Sequence, residues 1–367
     1  MQVSSELYNV VMKTISVLIK PASSSCNLRC RYCFYADEAQ NRDTASKGTM
    51  TRETMHTIID RIDEALQGKG RANISFQGGE PTCAGLPFFV SFIEEMKKHS
   101  GIEPVWSIQT NGTLLTEEWA DFFKENNFLV GVSLDGFQTN MDAFRLDAEG
   151  KGVYWKVQKA IDLLRKKKVD FNILTVVTRQ LAQHPASLFS FCKEHHFDYV
   201  QLIPCLPPMD GKDDGMSLTP DLYGTFMIDF FKAWQKDAAK TGKPVNVNLF
   251  NNIGGMLQGY APYQCGLIGT CTIQFVIEAN ADVYPCDFFC LDEWKLGNLK
   301  EQSFTELFES MHAKKFLSTS TCTKKPCQSC RYRNMCHGGC RRQNVCYLGE
   351  NSCSYQKLLD YITSHIQ

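Results

Sequence analysis

The sequence lacks any run of about 18 apolar residues, the length that crosses a bilayer. Near its start, Asn9, Lys13 and Thr14 interrupt the apolar residues before a signal-peptide core can form. No membrane partner is expected, and the chain is placed in the cytoplasm. It also lacks charge of one sign: 39 Lys and Arg face 40 Asp and Glu, a net charge of −1. Without a global field to draw it to polyanions, no nucleic-acid partner is expected. Repeats and low-complexity tracts are absent as well. The 367 residues suffice for about two domains with packed cores.

Between positions 15 and 204, short β-branched runs alternate with amphipathic helical stretches. Six strands are predicted, over 15–20, 73–77, 105–109, 129–134, 171–178 and 199–203. Met55, Ile58, Ile59, Ile62 and Leu66 recur at helical spacing, as do Trp119, Phe122 and Phe123 after the capping candidate Thr116. Thr219-Pro220-Asp221 opens a further helix. Strand-helix repetition implies a parallel α/β sheet, because parallel strands need long crossovers. Six units are two short of a closed eight-fold barrel, and in either case the loops at the carboxyl ends of the strands build the site. Past about residue 241 helices become sparse, which sets a boundary near Gly242. The Pro-, Asp- and Gly-rich stretch over 207–215 reads as a loop over the sheet.

The abundant residue is cysteine, 17 in all, an odd number. In a reducing compartment clustered thiols read first as metal or cofactor ligands rather than disulfides. Cys26, Cys30 and Cys33 form C-x3-C-x2-C in the loop after the first strand. Three thiolates can hold three corners of an iron-sulfur cluster and leave one iron open to a small molecule. A zinc site would require a fourth ligand nearby, and neither His nor Cys follows within about twenty residues. Towards the carboxyl end stand Cys265, Cys271-x14-Cys286, and Cys327-x2-Cys330-x5-Cys336-x3-Cys340 followed by Cys353. That spacing suits either iron-sulfur clusters or a pair of structural zinc sites. Cys83, Cys192, Cys205, Cys290, Cys322 and Cys346 remain; most read as small buried apolar residues, with Cys83 and Cys290 the candidates to face a cavity.

With Phe34 and Tyr35 after it, the amino-terminal triplet resembles the signature of radical S-adenosylmethionine enzymes. The resemblance implies an α/β fold, a partial (β/α)6 TIM-like barrel. It also implies that the open iron binds S-adenosyl-L-methionine and that an electron cleaves the sulfonium to methionine and a 5′-deoxyadenosyl radical. Gln77-Gly78-Gly79-Glu80-Pro81 is similar to the family's GGEP motif, whose backbone and Glu contact the methionine amino group; a Cβ at either glycine would collide with the ligand. Ser133-Leu134-Asp135-Gly136, followed by Arg145, resembles a stretch whose Ser and Arg bind the methionine carboxylate and ribose. It departs from that pattern in Phe137, where Pro is usual, and in Met141, where His is usual.

The carboxyl-terminal cysteines resemble a SPASM domain with two auxiliary 4Fe-4S clusters. Cys265, Cys271, Cys286 and Cys340 are implied for one, and Cys327, Cys330, Cys336 and Cys353 for the other, making three 4Fe-4S clusters in all. Ala281 stands at a turn position where the family usually has Gly. The expected division is a barrel over 14–241, a SPASM domain over 242–353 and a carboxyl-terminal helix over 354–367.

Within that group the chain resembles anaerobic sulfatase-maturating enzymes, through Ile19-Lys20-Pro21-Ala22-Ser23-Ser24, Val283-Tyr284-Pro285-Cys286-Asp287-Phe288 and Gly338-Gly339-Cys340-Arg341-Arg342 among other stretches. The implied reaction oxidises a Cys or Ser of a sulfatase to Cα-formylglycine by abstracting a Cβ hydrogen. Asp287 matches the family's catalytic base, and Tyr35 is implied as a cavity residue. Expected partners are an unfolded sulfatase polypeptide carrying a Cys/Ser-x-Pro/Ala-x-Arg segment and a reducing donor such as flavodoxin or ferredoxin. The alternative is a SPASM peptide maturase that crosslinks or epimerises a precursor peptide. Many of those carry an amino-terminal peptide-binding region, whereas about fourteen residues precede the first strand expected here, which favours the sulfatase reading.

Overall fold

The structure is a computed structural model that describes residues 13–319 and 324–365. All six expected strands form: β1 (Thr14–Ile19), β2 (Gly70–Phe76), β3 (Ile102–Thr110), β4 (Leu129–Ser133), β5 (Asp170–Val177) and β6 (Tyr199–Pro204). They lie side by side in chain order and are all parallel. Parallel neighbours joined in order by right-handed crossovers put every helix on the same face. The opposite face is thereby left as the lumen of a partial barrel.

Alternation along the strands sorts side chains between these faces. Ile15, Val17 and Ile19 of β1, Ala72, Ile74 and Phe76 of β2, and Trp106 and Ile108 of β3 are buried. Their partners at period two, including Ser16, Ser75, Ser107, Asn172, Gln77 and Gln201, line a lumen cavity of about 570 Å³. The outer helices bury the expected residues. Arg52–Leu66 is capped by Thr51, whose side chain accepts from Thr54 N at 3.2 Å, and buries Met55, Ile58, Ile59, Ile62 and Leu66. Glu117–Glu125 buries Trp119, Phe122 and Phe123. Thr116 occupies its cap position without capping the backbone, because its hydroxyl goes to the Glu118 carboxylate instead. Pro220–Thr241 ends at Gly242, whose φ of +64° closes the helix in the left-handed conformation that glycine favours.

The sheet runs on past Gly242 at both edges. β7 (Asn246–Val247) pairs with β6, while β8 (Val276–Ile277) pairs parallel with β1 and carries the antiparallel β9 (Asp282–Tyr284) and β10 (Gly297–Asn298). Through β8 the carboxyl-terminal cysteine region is therefore hydrogen-bonded to the first barrel strand. Ala281, in the β8–β9 turn, has φ +72° and is fully buried, a strained conformation for a residue with a Cβ. The 207–215 stretch is indeed a loop over the sheet. Asp37 Oδ2 accepts from Met209 N at 2.9 Å, and Arg179 pairs with Asp213 at 2.7 Å. The helix Ser354–His365 closes the described chain and packs on Pro220–Thr241. No helix among the described residues is long and apolar enough to cross a membrane.

Candidate active site

Cys26, Cys30 and Cys33 occupy the loop between β1 and the short helix Phe34–Gln40, all half-buried. Burial pushes the Cys26 thiol up to about 12 and the Cys30 thiol to about 11, and the neighbouring Cys33 sulfur raises both further. Among the described residues, no three His, Cys, Asp or Glu side chains converge closely enough for a single metal ion. Three thiols from one loop suit a cluster that spreads its ligands over several irons.

Next to the triplet lies a buried carboxylate. Asp287 begins the turn Asp287–Phe289, directly after Cys286. Its Oδ2 accepts from the Tyr35 hydroxyl at 2.6 Å and from Gln77 Nε2 at 2.9 Å, and Gln77 also bonds the Tyr35 oxygen. Its Oδ1 is buried and has no hydrogen-bond partner. Burial raises the Asp287 carboxyl above its ordinary range, against the opposing charge of Lys20.

Behind it sits an ion cluster that sequence reasoning missed. Lys20 Nζ lies 3.2 Å from Glu278 and 3.8 Å from Glu38, and 5.1 Å from the centre of the Tyr35 ring. Arg42 joins the same two carboxylates at 2.6 and 3.4 Å. Glu38 Oε1 also accepts from Cys290 N at 2.9 Å, tying the helix after the triplet to the turn that carries Asp287. Glu38 and Arg42 stand i,i+4 at the end of one helix, whereas Lys20 and Glu278 follow β1 and β8 and carry no spacing that links them to that pair.

At both glycines of the GGEP segment a Cβ would meet the chain itself. Gly78 has φ +86°, and a Cβ there would run into the Lys20 side chain; Gly79 has φ +51°, and a Cβ would meet Ser25 O and, at 2.8 Å, Ser23 O. Glu80 is buried and braces the loop. Its Oε1 accepts from Thr82 N at 3.1 Å, Thr82 Oγ1 at 2.6 Å and Thr110 Oγ1 at 2.8 Å, while Oε2 accepts from Asn111 N at 2.6 Å. Ser133 ends β4, half-buried. Arg145 pairs through two nitrogens with the buried Asp135, at 2.8 and 3.3 Å, and directs Nη1 towards Cys30 Sγ at 4.0 Å. Tyr32 bonds the same Asp135 carboxylate.

Both carboxyl-terminal quartets come together. Cys265, Cys271, Cys286 and Cys340 act on one another electrostatically, and Gly266 leaves only 3.3 Å between a would-be Cβ and that of Cys340. Cys327, Cys330, Cys336 and Cys353 line one cavity beside Tyr332, Tyr347 and Tyr355. Each donor set is four soft sulfurs, which fits a fully ligated iron-sulfur cluster. Of the remaining cysteines, Cys192, Cys205, Cys290 and Cys346 are buried and Cys83 is exposed; Cys322 lies outside the described residues.

Comparison with known proteins agrees. Residues 21–192 match the Radical SAM superfamily, and 269–331 match an iron-sulfur cluster-binding domain. A cysteine-type anaerobic sulfatase-maturating enzyme of Clostridium novyi is 44% identical over 336 residues, 90% of this chain and 89% of that one. A serine-type enzyme of Bacteroides thetaiotaomicron is 32% identical over 91% of this chain and 84% of its own. The structure also resembles that of native anSMEcpe with bound AdoMet and Cp18Cys peptide, with a TM-score of 0.86 at 38% identity, covering 96% of this chain and 97% of the other.

Proposed function

Since this chain belongs to the anaerobic sulfatase-maturating enzymes of the radical SAM superfamily, we propose that it oxidises a cysteine or serine of a sulfatase polypeptide to Cα-formylglycine without oxygen. The observation that carries the assignment of roles is the Asp287 carboxylate, with Oδ2 held by Tyr35 and Gln77 and Oδ1 buried and unpartnered. A buried acceptor without a donor is costly unless a ligand supplies one. The thiol or hydroxyl of the target residue is that donor.

Held by Cys26, Cys30 and Cys33, a 4Fe-4S cluster with S-adenosyl-L-methionine would supply the 5′-deoxyadenosyl radical chemistry needed to remove a Cβ hydrogen atom from the target. The chain's own groups do the rest. Asp287 Oδ1 takes the proton from sulfur or oxygen, within the reach that general base catalysis requires. Tyr35 and Gln77 fix the carboxylate through the other oxygen, so that Oδ1 faces the substrate. Gly78, Gly79, Glu80, Ser133 and Arg145 are the residues assigned to the S-adenosylmethionine side of the pocket, with Cys26, Cys30 and Cys33 as the ligands there. Cys265, Cys271, Cys286 and Cys340, and Cys327, Cys330, Cys336 and Cys353, would hold two further clusters, bringing the total to three. The set that includes Cys286, next to Asp287, would hold a centre able to take the electron left by loss of a hydrogen atom and a proton. Flavodoxin or ferredoxin is the class of donor proposed to reduce the triplet's cluster. The barrel is assigned to 14–241, the auxiliary-cluster region to 242–353 and the closing helix to 354–367.

The polar lumen, lined by Ser75, Ser107, Asn172 and Gln201, suits the backbone of an extended peptide. The relatives at 44% and 40% identity bear the cysteine-type name, and those at 32% and 30% the serine-type name, which supports cysteine as the preferred target. The test is anaerobic incubation of reconstituted protein with a Cys-x-Pro-x-Arg peptide and its Ser counterpart, read by mass spectrometry. An aldehyde on the target residue is expected; a crosslinked peptide lacking two hydrogens, with no aldehyde, would overturn the reading.

A further inference from the structure

Arg341 follows Cys340 directly and has no part in the chemistry described so far. Its guanidinium carbon lies 4.8 Å from the centre of the Phe289 ring, 4.9 Å from Trp294 and 5.5 Å from Phe316. The three rings also pack on one another, with centroids 5.3 to 5.9 Å apart. They come from three separate elements, the turns Asp287–Phe289 and Asp292–Trp294 and the helix Met311–Ser318. The arginine Nη1 donates to Thr319 Oγ1 at 2.8 Å. Among the described residues no carboxylate comes within ion-pair distance of it.

An aromatic box of this kind holds a cation by the negative faces of its rings. It is anchored at both ends to ligands of one quartet. Arg341 is bonded to Cys340, and Phe289 N donates to Cys286 O at 2.9 Å. The charge is also close enough to Cys271 to act on its sulfur. This cation, with no carboxylate partner among the described residues, therefore stands next in the chain to the ligand Cys340 and within electrostatic reach of Cys271.

We propose that Arg341, held by Phe289, Trp294 and Phe316, raises the reduction potential of the centre bound by Cys265, Cys271, Cys286 and Cys340, so that this centre accepts the electron released by substrate oxidation. Adding an electron to a thiolate-ligated cluster increases its negative charge, and a nearby fixed cation favours that state. The electron count closes: the substrate carbon gives up one hydrogen atom to the adenosyl radical, its sulfur or oxygen gives one proton to Asp287, and the one remaining electron reduces the quartet's centre. Arg341 is a positioning residue in this scheme, acting through the centre rather than on the peptide.

The inference rests on the maturase reading, and its test separates the two. Cys26, Cys30 and Cys33 are each replaced by Ala to remove the amino-terminal signal, and the two remaining centres are titrated potentiometrically with detection by electron paramagnetic resonance. In Arg341→Gln one midpoint is expected to move to lower potential while the other stays. Arg341→Lys, which keeps the charge, should restore most of the shift. Two unmoved midpoints in Arg341→Gln protein of normal iron content would overturn the proposal. Should that variant load poorly, Trp294→Leu decides, since it removes one wall of the box and leaves the cation; a smaller shift in the same direction supports the proposal and none overturns it. Formylglycine production by the otherwise wild-type protein is measured alongside, and its absence counts against the maturase reading alone.

Discussion

Tyr35 and Asp287 stand 252 positions apart in the chain and share a 2.6 Å hydrogen bond. Tyr35 follows Cys33 by two residues and Asp287 follows Cys286 by one, so this single bond joins the loop of the amino-terminal triplet to a loop of the carboxyl-terminal quartet. Both loops are independently anchored. β8 pairs with β1, and Glu38 accepts from Cys290 N at 2.9 Å. The proposed base is thus set by contacts from two cysteine-bearing segments at once, which is how a proton acceptor can be held at fixed reach of both a radical source and an electron sink.

Asp287→Asn keeps the shape and the acceptor oxygen but cannot take a proton. General base catalysis contributes on the order of 10²- to 10⁴-fold, so formylglycine formation should fall by at least about 100-fold. Cleavage of S-adenosylmethionine to 5′-deoxyadenosine should persist, since the variant leaves the triplet untouched. Chromatography of both products in one reaction checks this; a parallel loss of the two would mean that Asp287 is needed for cofactor binding instead.

Tyr35→Phe removes a donor that stabilises the ionised form of Asp287. Losing it raises the carboxyl further, so a higher pH is needed before the base is ionised. The acid limb of the pH profile for kcat should move to higher pH, with a loss of roughly tenfold at neutral pH. Gln77 still donates to Oδ2, which keeps the effect well below that of Asp287→Asn. A drop with no displacement of the acid limb would assign Tyr35 to packing alone.

What could be read from the sequence follows from how local each constraint is. A cluster fixes its ligands through bonds of set length, so C-x3-C-x2-C and the Cys327 to Cys340 spacing were legible without coordinates. So were the six strands, because each is written into consecutive residues as a short β-branched run, such as that from Ile15, between helical stretches. The strain at Ala281 was legible too, from a missing glycine at a turn. The ion cluster was not: Lys20, Arg42, Glu38 and Glu278 meet across elements up to 258 residues apart, and no spacing rule reports a pair of that range. For Gly78 and Gly79 the residue type was legible, while the chain obstacles there, Lys20 and the 23–25 backbone, were not.

That ion cluster makes stability pH-dependent. Burial pushes Glu38 from an ordinary 4.5 up to about 7, against the pull of Lys20 and Arg42. A carboxyl raised on folding binds its proton more tightly in the native state, so its contribution is fully present below about pH 4.5 and is lost as pH rises through about 7. Across that window the loss is on the order of 3 kcal/mol. Glu38→Gln cannot titrate and keeps an oxygen for Cys290 N, so the fall of Tm between pH 5 and 8 should flatten in the variant. Anaerobic melting curves over that range check it; equal slopes in the two proteins would show that Glu38 is not the titrating group.

Glu80 offers a stability test of the GGEP loop independent of any cofactor. Its two oxygens accept four hydrogen bonds, three on Oε1 and one on Oε2, from Thr82, Thr110 and Asn111. Glu80→Gln replaces one acceptor by an NH2 group that must face a donor, Asn111 N or the Thr82 and Thr110 groups, whichever way the amide turns. A buried donor opposed by another donor costs about 1–3 kcal/mol, so Tm should fall clearly even though the side chain keeps its volume. The loop also carries Glu80 N to Ser25 O at 2.8 Å, one residue before Cys26. Loosening it should therefore weaken S-adenosylmethionine binding several-fold in the reconstituted protein. Calorimetry and equilibrium binding read the two effects separately. A wild-type Tm with weakened binding would place Glu80 on the ligand rather than in the loop, and both unchanged would remove it from the site.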